Sequence, residues 1–461
     1  MLKITLINPP QSTRYPQPPL GLALIAAILE KEGYPISLLD ANALQLKPEN
    51  VSKSISDADV VGITAVTPTI GTALSIARNL KKDKPNLKII IGGPHVTLLS
   101  EETLNSSSDV DIIVRGEGDE TVIELLRAMG EKRPLDNIAG ISYKDAEGKI
   151  IHTPARTSTV DMDSLPYPAF HLLPWQKYRP HPPHGMSLPF AAIVTSRGCP
   201  YRCAYCSKPV FGSKFRAQSP ERVVAEMAYL KESFGIKEIA FYDDSFTLDK
   251  KRVHAIADEI IEKGLKIAWT CETRVNLVDK ELLEHMRKAG CYAVAYGIES
   301  ASPEIVEILQ KDITLEQVET AVRFSREVGI QVIGYFMLGS PGDTPETIRR
   351  TIDFAKKLKV DFAQFSVTTP FPGTELYEIY MRDKKENIPW DKFIYADMNN
   401  PAAPVFESEK LSRKDLQTWV SRAYRDFYLR PSYVWQRLRR CTSWGEIKMN
   451  FKGFLMLLKS L

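Results

Sequence analysis

Cysteine is scarce in this sequence, with six residues in 461. That is far below the density of a disulfide-stapled secreted domain. No stretch reaches the ~18 consecutive apolar, uncharged residues of a membrane-spanning helix. The opening MLKITLINPP lacks the longer apolar core and cleavage site of a secretion signal and reads as a strand. Lys and Arg (60) nearly balance Asp and Glu (57), for a formal net charge of +3. So small an excess does not imply nucleic acid, and no basic–aromatic binding motif of sufficient definition is present. A reduced cytoplasm is the expected compartment. The turn after the first strand is rich in proline and lacks G-x-G-x-x-G, which argues against NAD.

What is present is α/β patterning in two series. At 461 residues the chain exceeds the roughly 250–300 residues at which a single core stops growing, so two or more domains are expected. Residues 1–145 alternate short apolar runs with amphipathic ones. Strands are expected over 4–8, 35–41, 59–65, 88–93 and 111–116, and helices over 20–33, 71–82 and 119–129. Apolar strands with helical crossovers predict a doubly wound parallel sheet, in which ligands collect at the carboxyl ends of the strands. The loops at those ends carry Asn8 and Pro10, then Thr64 and Thr67 to Gly71, Gly92-Gly93-Pro94-His95, and Gly116-Glu117-Gly118. Paired glycines permit close backbone approach to a bulky ligand.

A proline-rich connector covers residues 146–189. The second series, 190–385, places strands at 191–196, 238–242, 267–271, 292–297, 331–337 and 363–368. Six such units suggest a partial (β/α)6 barrel. Residues 386–461 read as a mostly helical capping segment, with an amphipathic helix over 411–428.

The most informative run is Cys199-Pro200-Tyr201-Arg202-Cys203-Ala204-Tyr205-Cys206, which holds half of the cysteines. C-x3-C-x2-C offers three thiolates on one loop at the end of the first strand of the second series. A cubane [4Fe–4S] cluster is held by soft sulfur donors, and three of them leave one iron open for chemistry. A structural zinc site wants four ligands, often as two close pairs. His181 and His184 precede the run without such a spacing. Cys271 and Cys291 read as small buried side chains.

The cysteine run resembles the motif of the radical S-adenosylmethionine (SAM) enzymes. The phrases PPLGLALIAAILEKEGYPISLLDAN, IIIGGPH and VRGEGDET resemble the cobalamin-binding domain that precedes many of them. The resemblance covers residues 1–370 and weakens beyond. It implies a [4Fe–4S] cluster on Cys199, Cys203 and Cys206, with SAM on the open iron. It implies cobalamin against Asn8, Pro10, Thr64, Thr67, Gly71, Gly92, Gly93, His95, Gly116, Glu117 and Gly118.

For SAM, the resemblance implies Tyr205 beside the adenine, Asp243 and Asp244 toward the ammonium group and Arg274 toward the carboxylate. Glu299 falls near the ribose and methionine moiety, and Gly334 and Gly339 near the adenine. Loop packing for Tyr205 and an internal salt bridge for Arg274 are the alternatives. One departure stands out. D-x-H-x-x-G, whose histidine ligates cobalt in other cobalamin proteins, is absent. His95 is then a contact at the cofactor's rim or an ordinary loop histidine, and a degenerate domain without cobalamin is the alternative.

The likeness is greatest to a subgroup containing anaerobic magnesium-protoporphyrin monomethyl ester cyclases, hopanoid-processing enzymes and C- or P-methylases. It implies reductive cleavage of SAM to a 5′-deoxyadenosyl radical, and methyl transfer from methylcobalamin to an unactivated substrate centre. A radical oxidative cyclisation or rearrangement is the alternative, and a non-catalytic metal-binding or cofactor-carrier protein is a third. The implied partners are a reductant such as flavodoxin or ferredoxin and a small-molecule or lipid-like substrate. The basic, aromatic stretches RPSYVWQRLRR and WGEIKMNFKGFLMLLKS either cap the barrel or touch a membrane surface. No residue for substrate acid–base work stands out. Tyr335, Gln364, Ser366 and Thr368 alternate as a barrel lining or a packed strand would.

Overall fold

The computed structural model describes residues 1–440, apart from residues 12, 14, 56, 158–159, 181–184, 186, 382–388, 395–406 and 408–409. His181, His184 and the stretch WGEIKMNFKGFLMLLKS therefore lie outside the described residues. The chain divides into two compact units. One comprises Met1–Pro200, Ser207–Asp244 and Pro389–Asp391; the other comprises Tyr201–Cys206, Ser245–Ile388 and the described residues from Lys392 onward.

The first unit is built on β1 (Ile4–Asn8), β2 (Ile36–Asp40), β3 (Val60–Thr64), β4 (Lys88–Gly92), β5 (Ile112–Val114), β6 (Ile141–Lys144) and β7 (Ile150–His152). Their spatial order is β2-β1-β3-β4-β5-β6-β7. The first five run parallel. Runs such as VVGIT and KIIIG are apolar on both faces because helices cover both. On one face the helix Ile70–Asp83 buries Ile70, Ala73, Ile76, Ala77 and Leu80. On the other, helices Leu20–Lys31 and Thr121–Glu131 contribute Ala26, Leu29, Leu125 and Leu126. Each fully buried Leu, Ile or Val is worth about 1.5–3 kcal/mol. β6 and β7 pair antiparallel, so the sheet runs past residue 145 into the stretch that reads as connector.

The same unit holds β8 (Phe190–Ile193), β9 (Ser196–Arg197), β10 (Arg216–Ala217) and β11 (Glu238–Phe241). β8 and β11 pair in parallel, β9 and β10 antiparallel. The helix Pro220–Phe234 starts where Ser219 accepts from the Arg222 N–H at 3.2 Å, and stops at left-handed Gly235.

The second unit carries β12 (Ala268–Thr273), β13 (Cys291–Glu299), β14 (Gln331–Leu338) and β15 (Phe362–Val367), parallel and in sequence order. Helices Lys280–Lys288, Leu315–Glu327 and Pro345–Leu358 cross between them, each opened by a side-chain cap from Asp279, Thr314 or Thr344. β15 ends its row, and an edge strand exposes unpaired backbone. The helix Arg413–Tyr428 resolves this with tyrosines. Tyr424 Oη accepts from Phe365 N at 3.1 Å, and Tyr428 Oη accepts from Ala363 N at 3.0 Å. No helix among the described residues is long and apolar enough to cross a membrane.

Candidate functional site

The cysteine loop leaves β9 through Gly198, whose φ is +85°. A Cβ there would sit 2.2 Å from the Lys214 carbonyl oxygen, so only glycine fits. Within the first unit, Cys199 N–H donates to the Gly212 carbonyl at 3.3 Å, and Lys208 Nζ donates to the Cys199 carbonyl at 2.9 Å. Within the second, Cys206 N–H donates to the Cys203 carbonyl at 3.0 Å, a turn that brings the last two cysteines close. Ala204 between them is buried against Ile305, Leu309 and Leu376. Its N–H reaches the Leu309 carbonyl and its carbonyl receives the Leu376 N–H, each at 3.0 Å. Cys199 and Cys203 are half-buried and Cys206 is exposed. Among the described residues no three His, Cys, Asp or Glu side chains are already gathered as a metal cage. The donor set nevertheless suits an iron–sulfur cluster: three thiols on an anchored eight-residue loop.

Arg274, just past β12, is buried and points at that loop. Its guanidinium lies 3.7 Å from the Tyr201 ring centroid, and Nη1 donates to Cys203 Sγ at 3.3 Å. Nη2 donates to the Lys311 carbonyl, and Nε to Asn276 Oδ1 at 3.3 Å. Among the described residues it forms no ion pair. The internal salt bridge is thus not its role; it grips a cysteine sulfur.

Half-buried Tyr205 and buried Glu299 and Lys311 form a triad in the second unit. Tyr205 Oη donates to Glu299 Oε1 at 2.8 Å, and Lys311 Nζ donates to Tyr205 Oη at 2.7 Å and to Glu299 Oε1 at 2.9 Å. Burial, then the Glu299 charge, raises the Tyr205 hydroxyl pKa well above its ordinary value. Glu299 adopts φ +65°, and the ladder between β13 and β14 shifts register there. A non-glycine residue held at positive φ is a strained backbone that its surroundings must enforce. The fit is tight: a Cβ on Gly297 would lie 2.5 Å from Glu299 Oε1 and 2.6 Å from Lys311 Nζ. Loop packing alone does not describe Tyr205, which is wired to two charges.

Asp243 turns inward. Its carboxylate accepts from Thr195 N at 2.5 Å, Thr195 Oγ1 at 2.7 Å and Ser196 N at 2.7 Å, tying the end of β11 to the end of β8. Asp244 has its pKa raised by burial, opposed by the Lys208 charge and the Gly198 N–H. Gly334 and Gly339 pack against the protein itself. A Cβ would meet Phe336 and Ile298 at the first and Leu416 at 2.5 Å at the second.

The loops expected to hold cobalamin all lie at the carboxyl ends of β1, β3, β4 and β5. Asn8 Nδ2 donates to Asp40 Oδ1 at 2.9 Å, with half-buried Pro10 beyond it. Thr64 ends β3, and buried Thr67 lies 3.3 Å from His95 Nδ1 through its hydroxyl. His95 is 2% exposed, stacks edge-on against Trp390 and has its pKa pushed down by burial to about 4. Gly92 has room, whereas Gly93 at φ +113° abuts the Ala65 carbonyl and Gly118 touches Ile25. Among the described residues, nothing lies within 4 Å of where a Cβ on Gly71 or Gly116 would stand. That open edge fits a bulky ligand. The Glu117 carboxylate is held within the protein: Arg197 Nη1 donates to Glu117 Oε2 at 2.6 Å and to Asp119 Oδ2 at 2.5 Å, and Arg216 joins Glu117. Glu117 is thus a buried ion-pair partner.

Four participants escape sequence reasoning: Lys311, Tyr201, Arg197 and Arg216. A lone lysine or arginine in sequence reads as a solvated charge, and only the fold reveals its buried partner.

The Radical SAM superfamily model matches residues 193–355, and the B12 binding domain model matches residues 11–126. The chain belongs to the radical SAM superfamily, and its cofactors are a [4Fe–4S] cluster and SAM. Within that superfamily it stands among the members that also carry a B12 binding domain, and cobalamin is its third cofactor. It is 38% identical over 444 residues to an uncharacterized methyltransferase of Pyrococcus horikoshii, covering 94% of each chain. It is 30% identical over 436 residues to an anaerobic magnesium-protoporphyrin IX monomethyl ester cyclase of Cereibacter sphaeroides, covering 91% of this chain and 69% of that one. The solved radical SAM methyltransferase TsrM of Kitasatospora setae, with cobalamin and [4Fe–4S] cluster bound, shares the fold. Its TM-score is 0.70 at 21% identity, covering 84% of this chain and 82% of that one. An enzyme of this superfamily requires a reductant and a small-molecule substrate.

Proposed function

We propose that this chain is a cobalamin-dependent radical SAM methyltransferase acting at an unactivated centre of a small molecule, with a flavodoxin- or ferredoxin-like protein as reductant. The supporting observation is the C-x3-C-x2-C loop, its central sulfur hydrogen-bonded by buried Arg274, in a chain that also carries a B12 binding domain. Residues 1–145, with β7 extending their sheet to His152, serve as the cobalamin domain, the rest of 146–189 as connector, 190–385 as the radical domain and 386–461 as its helical cap. Cys199, Cys203 and Cys206 hold the cluster. When bound, the cofactors supply the radical and the methyl group. The chain's own residues bind, orient and exclude water. Arg274 fixes Cys203, and the triad of Tyr205, Glu299 and Lys311 stiffens the turn carrying Cys206. Asp244, beside Lys208, stays near the loop for polar contact with SAM.

The test is stoichiometric. Anaerobically reconstituted protein, given SAM, a reductant and a metabolite extract, should yield 5′-deoxyadenosine and S-adenosylhomocysteine in equal amounts, because one SAM is cleaved and another donates its methyl group. Deoxyadenosine alone, with a dehydrogenated or rearranged product, would support the cyclase reading.

A further inference from the structure

The segment that carries the C-x3-C-x2-C run begins and ends at a narrow neck in the first unit. There β9 and β10 pair antiparallel, with Arg197 directly opposite Arg216 and Ser196 opposite Ala217. Between the two strands run residues 198–215, which include Cys199, Cys203 and Cys206. Directly opposed residues of an antiparallel pair hold their Cβ atoms about 5 Å apart on one face, and like charges there are destabilising. Two guanidinium groups so placed work against closure of the neck.

Two carboxylates answer that charge. Asp119 takes Arg197 in a fork, Oδ2 accepting from Nη1 at 2.5 Å and Oδ1 from Nη2 at 3.2 Å. Glu117 takes Arg216 in the same way, Oε2 accepting from Nη1 at 3.2 Å and Oε1 from Nη2. Glu117 Oε2 also accepts from Arg197 Nη1 at 2.6 Å, so this one carboxylate bridges both strands of the neck. The Arg197, Glu117 and Asp119 side chains are 6%, 7% and 7% exposed, and that of Arg216 is 15% exposed. Water has little access to replace a missing carboxylate, and a buried charge without its partner is costly. From within the loop, the Phe211 ring packs on Arg197, its centroid 5.1 Å from the guanidinium carbon.

The two halves of this network come from different parts of the sequence. Glu117 and Asp119 lie in the stretch matched by the B12 binding domain model, Arg197 and Arg216 in the stretch matched by the Radical SAM model. We infer that Glu117 and Asp119 are positioning residues for the iron–sulfur cluster. By neutralising Arg197 and Arg216 they close the neck of the cysteine loop, a role of the B12-binding segment that is separate from holding cobalamin. The inference rests on Cys199, Cys203 and Cys206 as cluster ligands, but its test needs neither cobalamin nor methyl transfer.

The test follows anaerobic release of iron to bathophenanthroline disulfonate from the full chain, reconstituted with iron and sulfide and without cobalamin. Glu117→Gln and Asp119→Asn should each release iron about tenfold faster than the wild type, the scale of one lost charge-assisted hydrogen bond. The double variant Glu117→Gln with Arg216→Gln no longer sets two like charges against each other, and should return to within about threefold of the wild type. Recovery on removing a second charged group is what repulsion at the neck predicts and what a packing role would not give. Glu124→Gln is the control, because Glu124 belongs to the same segment but pairs with Arg156, and it should match the wild type. Failure of Glu117→Gln to hold a cluster, repaired in the double variant, supports the inference as fast release does. Failure of both overturns it, as does wild-type release from Glu117→Gln and Asp119→Asn, or a double variant as fast as the single. A wild type that assembles no cluster overturns the ligand assignment and the inference with it. A wild type that holds its cluster, with variants indistinguishable from it, overturns the inference alone.

Discussion

Arg274 donates a hydrogen bond to the sulfur of Cys203 across 3.3 Å, while its guanidinium is clamped over Tyr201. Hydrogen bonds to cluster sulfurs raise the reduction potential by stabilising the added electron. Arg274→Gln should therefore shift the cluster potential to more negative values in an EPR-monitored redox titration. It should slow reductive cleavage of SAM about tenfold, the scale of one charge-assisted hydrogen bond. Arg274→Lys should recover part of the shift but not all, because lysine lacks the planar fork. An unchanged potential would leave Arg274 a packing residue only.

Replacing any one of Cys199, Cys203 and Cys206 with alanine should abolish cluster assembly. Iron and sulfide assays after anaerobic reconstitution read this directly, with the visible charge-transfer absorbance lost in parallel. A single alanine variant retaining full iron would remove that cysteine from the ligand set.

The ion pair of Lys311 with Glu299 is buried on both sides, each side chain 7% exposed. Breaking such a pair leaves an uncompensated charge and costs about 3–5 kcal/mol. Lys311→Met should lower unfolding free energy by that order in denaturant titrations. The double variant Glu299→Gln with Lys311→Met should regain a large part of it, since no lone charge remains. Equal losses in the single and double variants would contradict the coupling.

Gly297→Ala should be destabilising by about 1–3 kcal/mol, the usual cost of overpacking, because its methyl would lie 2.5 Å from Glu299 Oε1. A fall in melting temperature together with weakened SAM binding is expected. An unaffected melting temperature would mean that the triad can move aside.

His95 gives a pH dependence whose sign follows from burial. Its pKa drops from 6.5 to about 4 in the fold, so the unfolded chain binds a proton there that the native state refuses. Stability then rises with pH between about 4 and 6.5 and is lost as pH falls through that window, by about 3 kcal/mol at most. His95→Gln should flatten this part of the stability–pH curve measured by urea titration.

Local features are legible in the sequence, and long-range pairings are not. β1, β3 and β4 announce themselves as apolar runs because both faces are covered. The β6–β7 hairpin is not legible: ISYK and IIH are short and partly polar. C-x3-C-x2-C can be read because its eight residues share one loop, whereas Arg274 meets Cys203 across 71 positions. Lys311, between Gln310 and Asp312, reads as solvated until the fold places it on Glu299. Glu117 lies in a glycine-rich loop that looks made for a ligand, yet its carboxylate is taken by Arg197. Gly334 and Gly339 invite a ligand reading from sequence, and only the fold shows Phe336 and Leu416 packed beside them.

The most direct measurement is mass spectrometry of the products formed from SAM bearing a deuterated methyl group, using anaerobically reconstituted enzyme with its cluster and cobalamin. A metabolite that gains the labelled methyl, together with 5′-deoxyadenosine, is the predicted result. Deoxyadenosine with no labelled metabolite, and a product changed only by loss of hydrogen or rearrangement, would contradict methyl transfer.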